Sequence, residues 1–383
     1  MRDLSLSDEI KSYFPNHAEH VTKNLLLVSW SIFESKSTNL NKAKDAVPGI
    51  LGNGAQVEES SNYTRLIRFF KTENSEALVG CIQTLCCMFL KPKSGRGLKY
   101  LVLDGTEWEI GSESVQLLTL CILWGGVCIP IWWEDLEKVG HSSQEERKLL
   151  ITNALKRYSL RGMVLLADRE YIGQEWFEFL RSQGIGFVIR LKASIYHEQV
   201  NACGGLRQSH LKRKASAKKP GQWVDKEIQW NGYSYRYIIA KNLKTDPNEP
   251  LIYLLTTLPR AQSALDAYRL RWKIETCFKH LKTNGFDLEA MNVKGKAKRN
   301  LMMAVVVFLY VIAVQEGYFA IEQTKYSKKN YKTFKKSGLT TLSVSFFRKG
   351  IALLHRKIDD FVELLQWLTE ILKTLVKPKW CHV

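Results

Sequence analysis

The chain has 383 residues, 45% of them hydrophobic, and its 56 Lys and Arg against 38 Asp and Glu give a formal charge of +18. This apolar content excludes a largely disordered polyelectrolyte, and the length predicts two or three domains with a sizeable core. The eight cysteines have no regular spacing, which argues against a disulfide framework and for a reducing compartment.

The charge is distributed unevenly along the chain. Residues 99–191 carry a net charge of −3, whereas residues 192–222 carry +6 and residues 284–383 carry +9. Basic stretches around a slightly acidic centre predict a protein that binds a polyanion and keeps carboxylates for another purpose. A solvated surface with chance clustering of bases is the alternative.

The first 98 residues are predicted to be helical, and they begin without the apolar stretch of a signal peptide. The predicted helices cover residues 17–35, 39–47, 63–72 and 75–89. On the third of these, Arg65 and Arg68 recur opposite an apolar face. Such a basic face either contacts phosphates or is simply solvated.

From residue 99 the pattern becomes that of a mixed α/β layer. Two short apolar runs each end in an acid, KYLVLD at Asp104 and RGMVLLAD at Asp168. Between them, the apolar run 117–133 is interrupted by Gly125-Gly126, which predicts two strands joined by a tight turn. Further elements are predicted as helices at 143–158 and 173–183 and a strand at 185–191.

The second half of the chain is predicted to contain a β-rich insertion followed by helices. Residues 192–222 are predicted to be a basic loop, and 222–241 and 250–257 to be strands. The remaining predictions are a long helix at 260–283, a basic turn at 294–299, a buried helix at 300–320, a Lys-rich loop at 326–336 and helical structure over 340–377. The apolar run 301–314 is too short to span a bilayer comfortably, so no membrane is expected.

Three acids stand out as candidate catalytic residues. If the strands ending in Asp104 and Asp168 are neighbours, their carboxylates converge and repel each other unless one is protonated or a cation lies between them. A hard divalent ion suits that position. Taken singly, an Asp after a strand is usually a turn former. On the 260–283 helix, Glu275 shares one stripe with Tyr268, Arg271 and Lys282, although an ordinary amphipathic helix has the same pattern.

The segment from Tyr268 to Lys282 resembles the Y-(2)-R-(3)-E-(6)-K signature of DDE transposases in the bacterial IS-four insertion-sequence family, and all four positions match. The Asp168-Arg169-Glu170 run and the Asp104-Gly105-Thr106 run resemble the segments around the family's two catalytic Asp residues. The resemblance covers roughly residues 20–320, and it includes the order Asp, Asp, Glu with a β-rich insertion before the Glu.

The resemblance implies a ribonuclease H-like core, a mixed five-stranded sheet with flanking helices, and helical N- and C-terminal regions. It implies that Asp104, Asp168 and Glu275 are catalytic and hold two Mg²⁺ ions, for which Mn²⁺ can substitute, in a two-metal phosphoryl transfer. It assigns Tyr268, Arg271 and Lys282 to DNA near the cleaved end. The basic stretches add further candidate DNA contacts, which are Arg65, Arg68, Lys212, Arg213, Lys294 and Arg299.

The expected protein is therefore a transposase that cuts double-stranded DNA at terminal inverted repeats and joins the 3′-OH ends to target DNA, with hairpin ends as intermediates. By the same resemblance it acts as a homodimer on the nucleoid in the bacterial cytoplasm. The expected segments are 1–98 (DNA-binding), 99–191 and 260–322 (core), 192–259 (basic insertion) and 323–383 (C-terminal region). A ribonuclease H-like nuclease without strand transfer and a catalytically silent DNA-end-binding protein are the alternatives.

Overall fold

A computed structural model describes residues 5–52, 59–90, 99–110, 113–193, 195–243, 248–323, 331–333, 340–342, 344–376 and 378–382. Its helices are α1 (Asp8–Ser12), α2 (Glu19–Ser35), α3 (Leu40–Ala43), α4 (Val47–Leu51), α5 (Glu59–Phe69), α6 (Ser75–Phe89), α7 (Gln144–Leu155), α8 (Gln174–Ser182), α9 (His197–Ala202), α10 (Gln208–Ser216), α11 (Ala261–Tyr268), α12 (Lys273–Leu281), α13 (Lys296–Gln323), α14 (Phe346–Lys357) and α15 (Phe361–Thr374). Its strands are β1 (Tyr100–Ile110), β2 (Glu113–Trp124), β3 (Val127–Asp135), β4 (Val164–Ala167), β5 (Gly186–Leu191), β6 (Trp223–Trp230), β7 (Tyr233–Lys241), β8 (Leu251–Thr256), β9 (Tyr331–Thr333) and β10 (Thr340–Leu342).

Eight of these strands form one mixed sheet in the order β3-β2-β1-β4-β5-β8-β7-β6, and not the five-stranded sheet expected from the sequence. Strands β1, β4 and β5 are parallel to one another, and the other pairings are antiparallel. The sheet is larger because β8 pairs with β5, with Val188 opposite Thr256. This pairing satisfies backbone groups that a free β5 edge would leave open, so the predicted insertion continues the central sheet.

Two hairpin turns follow directly from the sequence. Gly125 and Gly126 join β2 to β3 with φ of 59° and 83°, which confirms the predicted tight turn. Asn231 and Gly232 join β6 to β7 with φ of 51° and 74°. Two consecutive positive φ values match the right-handed twist of a hairpin, and glycine and asparagine adopt them at low cost.

The prediction of a loop over residues 192–222 is wrong, because this stretch contains α9 and α10. Their small apolar faces are buried, Val200 on α9 and Leu211 with Ala215 on α10. Helix α10 packs on β6 and β7. The abundance of Lys, Gly and Ser hides this short apolar repeat, and packing against the sheet stabilises helices too short to form alone.

The prediction of one continuous helix over residues 260–283 is also wrong. The chain forms α11 and α12, separated by a tight turn in which the N–H groups of Arg271 and Lys273 bond to the carbonyls of Tyr268 and Leu270. These bonds join residues three apart, so the α-helical angle of about 100° per residue does not apply across the turn. Arg271 therefore lies in the turn and not on a helical stripe.

Helix α13 is the central support of the fold, as the sequence predicts for residues 300–320. All residues from Leu301 to Val314 are buried, which is expected of a helix that is apolar on every side. By length and composition it is also the one helix in the described part of the chain that could cross a membrane. However, 83% of its most apolar window is buried inside the protein.

The N-terminal helices follow the predicted pattern closely, whereas the C-terminal region follows it only in part. Residues 346–374 are helical apart from a short connection, but residues 340–342 form β10, which pairs with β9. The predicted loop at 326–336 lies mostly outside the described residues. A single hydrophobic core extends from Leu6 to Cys381, and the proposed segment boundaries stay a prediction.

The contact between α13 and α14 depends on two glycines. A Cβ atom at Gly317 would collide with the carbonyl of Phe346, and one at Gly350 with the carbonyl of Ala313. Both obstacles are backbone atoms, which cannot move aside as the end of a side chain can. The two helices therefore approach more closely than side chains at these positions would allow.

We expect Gly350→Ala to lower the free energy of unfolding by about 3 kcal/mol, because it forces the two helices apart. Gly49→Ala in α4 is the matched control, since a Cβ there meets nothing within 4 Å. Its effect should stay within about 1 kcal/mol. Urea unfolding followed by circular dichroism measures both, and equal effects would contradict the close helix contact.

Candidate active site

The register of two parallel strands brings Asp104 and Asp168 together. Leu103 of β1 is paired with Ala167 of β4, and each acid is the next residue along its strand. Strand β4 ends there, as predicted. Strand β1 does not: it continues to Ile110 and Asp104 pairs with Thr119 of β2, so this acid lies within a long strand.

Helix α12 brings the third acid to the same edge of the sheet. Ile274, Cys277 and Leu281 are buried on one side of this helix, which packs against β1 and β3. Glu275 lies on the other side, with 52% of its side chain exposed. The apolar back of the helix therefore determines which way Glu275 points.

The guanidinium of Arg271 lies between the three acids. Its Nη1 is 3.2 Å from Oδ2 of Asp104, and its Nη2 is 2.8 Å from Oε1 of Glu275 and 3.7 Å from Oδ2 of Asp168. Only 13% of the Arg271 side chain is exposed. One cation therefore neutralises part of the repulsion among three carboxylates.

Further contacts hold Asp168 in place. The hydroxyl of Tyr268 donates to Oδ1 of Asp168 at 3.3 Å, and Nη1 of Arg190 lies 4.0 Å from the same oxygen. Arg190 is in turn fixed by Glu249 at 2.6 Å, which also binds Arg169 at 2.6 Å. Asp168 thus faces two cations and one hydroxyl donor.

Burial dominates the electrostatics of Asp104. It raises the pKa of this carboxyl to about 7, although the charge of Arg271 and the N–H of Gly105 act in the opposite direction. The nearby carboxylates of Glu170 and Asp168 raise the pKa further. Burial likewise raises the pKa of the Tyr268 phenol well above its usual value, so this residue remains a hydrogen-bond donor.

The acids line an open cleft of about 570 Å³, and their chemistry suits a hard divalent cation. All three candidate ligands offer carboxylate oxygens. In the arrangement seen among the described residues, no group of three ligating side chains is spaced to hold a metal ion. The space between the carboxylates is taken by the guanidinium of Arg271.

The predicted DNA contacts other than Arg299 divide into three classes. Exposed basic side chains are Arg65 and Arg68 on α5, Lys212 and Arg213 on α10, and Lys294 before α13. Lys282 follows α12 and does not line the cleft; its Nζ is 2.6 Å from the carbonyl of Glu107 and 3.2 Å from Oε1 of Glu289. Tyr268 and Arg271 contact the acids directly.

Arg299 is not placed to contact DNA. Its side chain is buried at the start of α13, with Nη1 2.7 Å from Glu113 and Nη2 2.7 Å from Asp135. A buried guanidinium needs such partners because water no longer stabilises its charge. The basic turn predicted at 294–299 is therefore in part the beginning of α13 with a structural ion pair.

The structure also places residues in the cleft that the sequence did not single out as part of the site. His141 lies at its mouth with Nδ1 2.7 Å from Glu170, and Lys192 follows β5. Arg169 pairs with Glu249 and Glu170 with His141, so both side chains beside Asp168 have partners within the protein. Trp272, next to Arg271 in the sequence, does not line the cleft and is 57% exposed. The sequence could have drawn attention to Trp272 because it follows Arg271 of the signature. His141 lies in a loop without a motif, so no sequence signal marks it.

Comparisons with known proteins point to one kind of domain. Residues 135–312, a little under half of the chain, match the family model of the transposase DDE domain, which supports a DDE transposase. The matched part contains Asp168 and Glu275 and begins after Asp104. No curated protein matches the sequence.

Two solved structures are similar to the chain at low sequence identity. A cryo-EM structure of a piggyBac transposase synaptic complex with hairpin DNA is 9% identical, covers 98% of this chain and 82% of that one, and has a TM-score of 0.45. The crystal structure of endonuclease V from Bacillus subtilis is 12% identical, covers 53% and 84%, and has a TM-score of 0.26.

We expect Asp104→Asn to stabilise the metal-free protein more at pH 8 than at pH 4. The folded pKa of about 7 exceeds the usual 3.8, so the folded state keeps its proton longer and loses stability as the pH rises between these values. The variant removes that loss, which amounts to about 4 kcal/mol.

Chemical unfolding in a chelating buffer, repeated across this pH range, measures the difference between variant and parent. Asp266→Asn on α11 is the control for loss of a surface carboxylate, since this side chain is largely exposed and lies outside the cluster of acids. A difference between Asp104→Asn and the parent that does not change with pH would mean that burial does not perturb this carboxyl.

Proposed function

We propose that this protein is a DNA transposase that cuts element ends and joins the freed 3′-OH to target DNA. The observation that carries the proposal is the convergence of Asp104, Asp168 and Glu275, from two strands and one helix, around Arg271. The transposase DDE match over residues 135–312 supports it independently.

Asp104, Asp168 and Glu275 are the residues that would hold divalent metal ions, with Mg²⁺ proposed and Mn²⁺ as a substitute. Such ions supply activation of the attacking oxygen and stabilisation of the leaving oxygen in phosphoryl transfer. The protein contributes the position of the carboxylates, which the β1–β4 register and the apolar back of α12 determine. Hairpin formation at the cut ends belongs to the same proposal, because each step repeats one displacement with a different nucleophile.

Arg271, Lys282 and Tyr268 are proposed to bind phosphates beside the scissile bond. Arginine can offer a bidentate fork to phosphate, and lysine a point charge. The five strands β3-β2-β1-β4-β5 are proposed to be the ribonuclease H-like core, since the acids lie on β1 and just after β4. A homodimer acting on two ends, on the bacterial nucleoid in the cytoplasm, completes the proposal.

Helix α10 is proposed to guide DNA away from the site. It packs on β6 and β7, at the end of the sheet that lies four strand spacings, roughly 19 Å, beyond β4. Residues 207–219 carry six Lys and Arg and no acid. Exposed bases at that distance can follow the phosphate backbone beyond the cut.

A strand-transfer assay separates this function from its alternatives. Pre-cleaved ends, a circular target and Mg²⁺ should yield products in which end and target are joined. Hydrolysis of the ends without joining would indicate a nuclease, and binding of ends without either reaction would indicate a catalytically silent protein. Either of these outcomes would overturn the proposed strand transfer.

We expect Asp168→Asn and Glu275→Gln to reduce end cleavage at least about 100-fold while end binding is retained. Both variants keep the shape of the side chain but lose a charge proposed to hold metal. Cleavage is followed on end-labelled DNA, and binding by fluorescence anisotropy. Glu175→Gln, an exposed acid paired with Lys148, is the control and should cleave normally.

We expect Lys212→Ala combined with Arg213→Ala to weaken DNA binding and to reduce the slope of log K against log salt by about 2. Arg299→Ala should leave that slope unchanged. It should instead lower the thermal stability, because Asp135 loses its buried partner. A change of slope for Arg299→Ala, or none for the α10 variant, would reverse the two assignments.

A further inference from the structure

Arg271 lies at the centre of the cluster of candidate catalytic acids. Its guanidinium makes ion pairs with all three candidate catalytic acids, at distances of 2.8 to 3.7 Å, and it is largely buried. Arg269, two residues earlier, differs sharply: it is half-exposed, and among the described residues its one ion pair is with Asp266 at 3.1 Å. The position of Arg271, and not the abundance of arginine in this turn, creates the three-way contact.

These contacts conflict with the roles that the proposed function gives to the same groups. A divalent cation bound by Asp104, Asp168 and Glu275 needs the oxygens that Arg271 now contacts. A phosphate bound by Arg271 needs the N–H groups that the acids now accept from. A divalent cation or a phosphate therefore has to replace the ion pairs between Arg271 and the acids. Once one of these ligands has broken the pairs, the other binds more tightly because the pairs no longer oppose it.

We propose that Arg271 is an internal counter-ion that holds the three acids together without metal and is released toward DNA when divalent cations bind. This inference rests on the proposed function. It makes cation binding and DNA binding mutually reinforcing through one side chain, and the coupling has to be equal in both directions.

The local backbone suits such an exchange. Arg271 lies in the turn between α11 and α12, so its side chain can reorient without disturbing a regular helix. It lines the cleft of about 570 Å³ together with the acids, which gives the guanidinium room to move. Because a divalent ion carries twice the charge of the guanidinium, it can replace it as the neutralising group.

The first test measures Mn²⁺ binding by calorimetry on the full chain without DNA. Arg271→Gln removes the competing cation and should bind Mn²⁺ about 5-fold or more tightly than the parent. Arg269→Gln removes an equal charge from the same turn but contacts none of the three acids, so its affinity should stay within about 2-fold. Unchanged or weaker Mn²⁺ binding by Arg271→Gln would overturn the inference.

Arg271→Lys provides a second variant where the glutamine variant does not fold. Lysine keeps the charge but loses the fork that reaches several carboxylates. Its Mn²⁺ affinity should exceed that of the parent, and circular dichroism establishes that each variant is folded. An affinity equal to or below that of the parent would again count against competition.

The second test measures the coupling to DNA. Calcium should tighten the binding of end DNA by the parent, and this gain should shrink several-fold in Arg271→Gln but persist in Arg269→Gln. An equal gain in all three proteins would overturn the release of Arg271 toward DNA.

Failure of this inference is distinguishable from failure of the proposed function. Asp168→Asn should lose Mn²⁺ binding. If Mn²⁺ binds to Asp168→Asn as tightly as to the parent, or binds to neither the parent nor any variant, the proposed metal site is wrong. The coupling is then wrong as well. If Mn²⁺ binding depends on Asp168 but not on Arg271, the metal site stands and only the coupling is overturned.

Discussion

Three carboxylates converge at the site, and a cation between them reduces their mutual repulsion. Arg271 supplies the charge from a turn that interrupts what would otherwise be one helix. The parallel register of β1 and β4 fixes two of the acids, and the buried back of α12 fixes the third. Burial raises the pKa of Asp104 to about 7, so the net charge of the site changes with pH around neutrality.

The rest of the fold packs around one buried helix. Helix α13, buried along most of its length, packs against α6, α14 and strand β3 of the sheet. Pairing of β8 with β5 extends the sheet to eight strands and places the basic helix α10 far from the acids. Acidic and basic regions are thereby kept apart on one scaffold, which is an arrangement suited to cutting a polyanion held at a distance.

Local sequence signals predicted much of this correctly. Gly125-Gly126 specify a hairpin turn because both residues need positive φ. The helix predicted from residue 143 begins there as α7, where Ser143 and Glu146 form a capping box. The predictions failed where the deciding contact is distant in sequence. Helices form within residues 192–222 because three apolar residues there pack on other elements. The turn at Arg271 interrupts a sequence pattern that is typical of one continuous helix.

The sequence by itself determined which acids are candidates, their order, and the spacing of Tyr268, Arg271, Glu275 and Lys282 around them. Only the tertiary structure decided what each charge does. Arg299 and Lys212 look alike in a basic stretch, yet the first is buried among carboxylates and the second faces solvent. The physical reason is that the role of a charge depends on its burial and its partner, and both are supplied by residues far away in the chain.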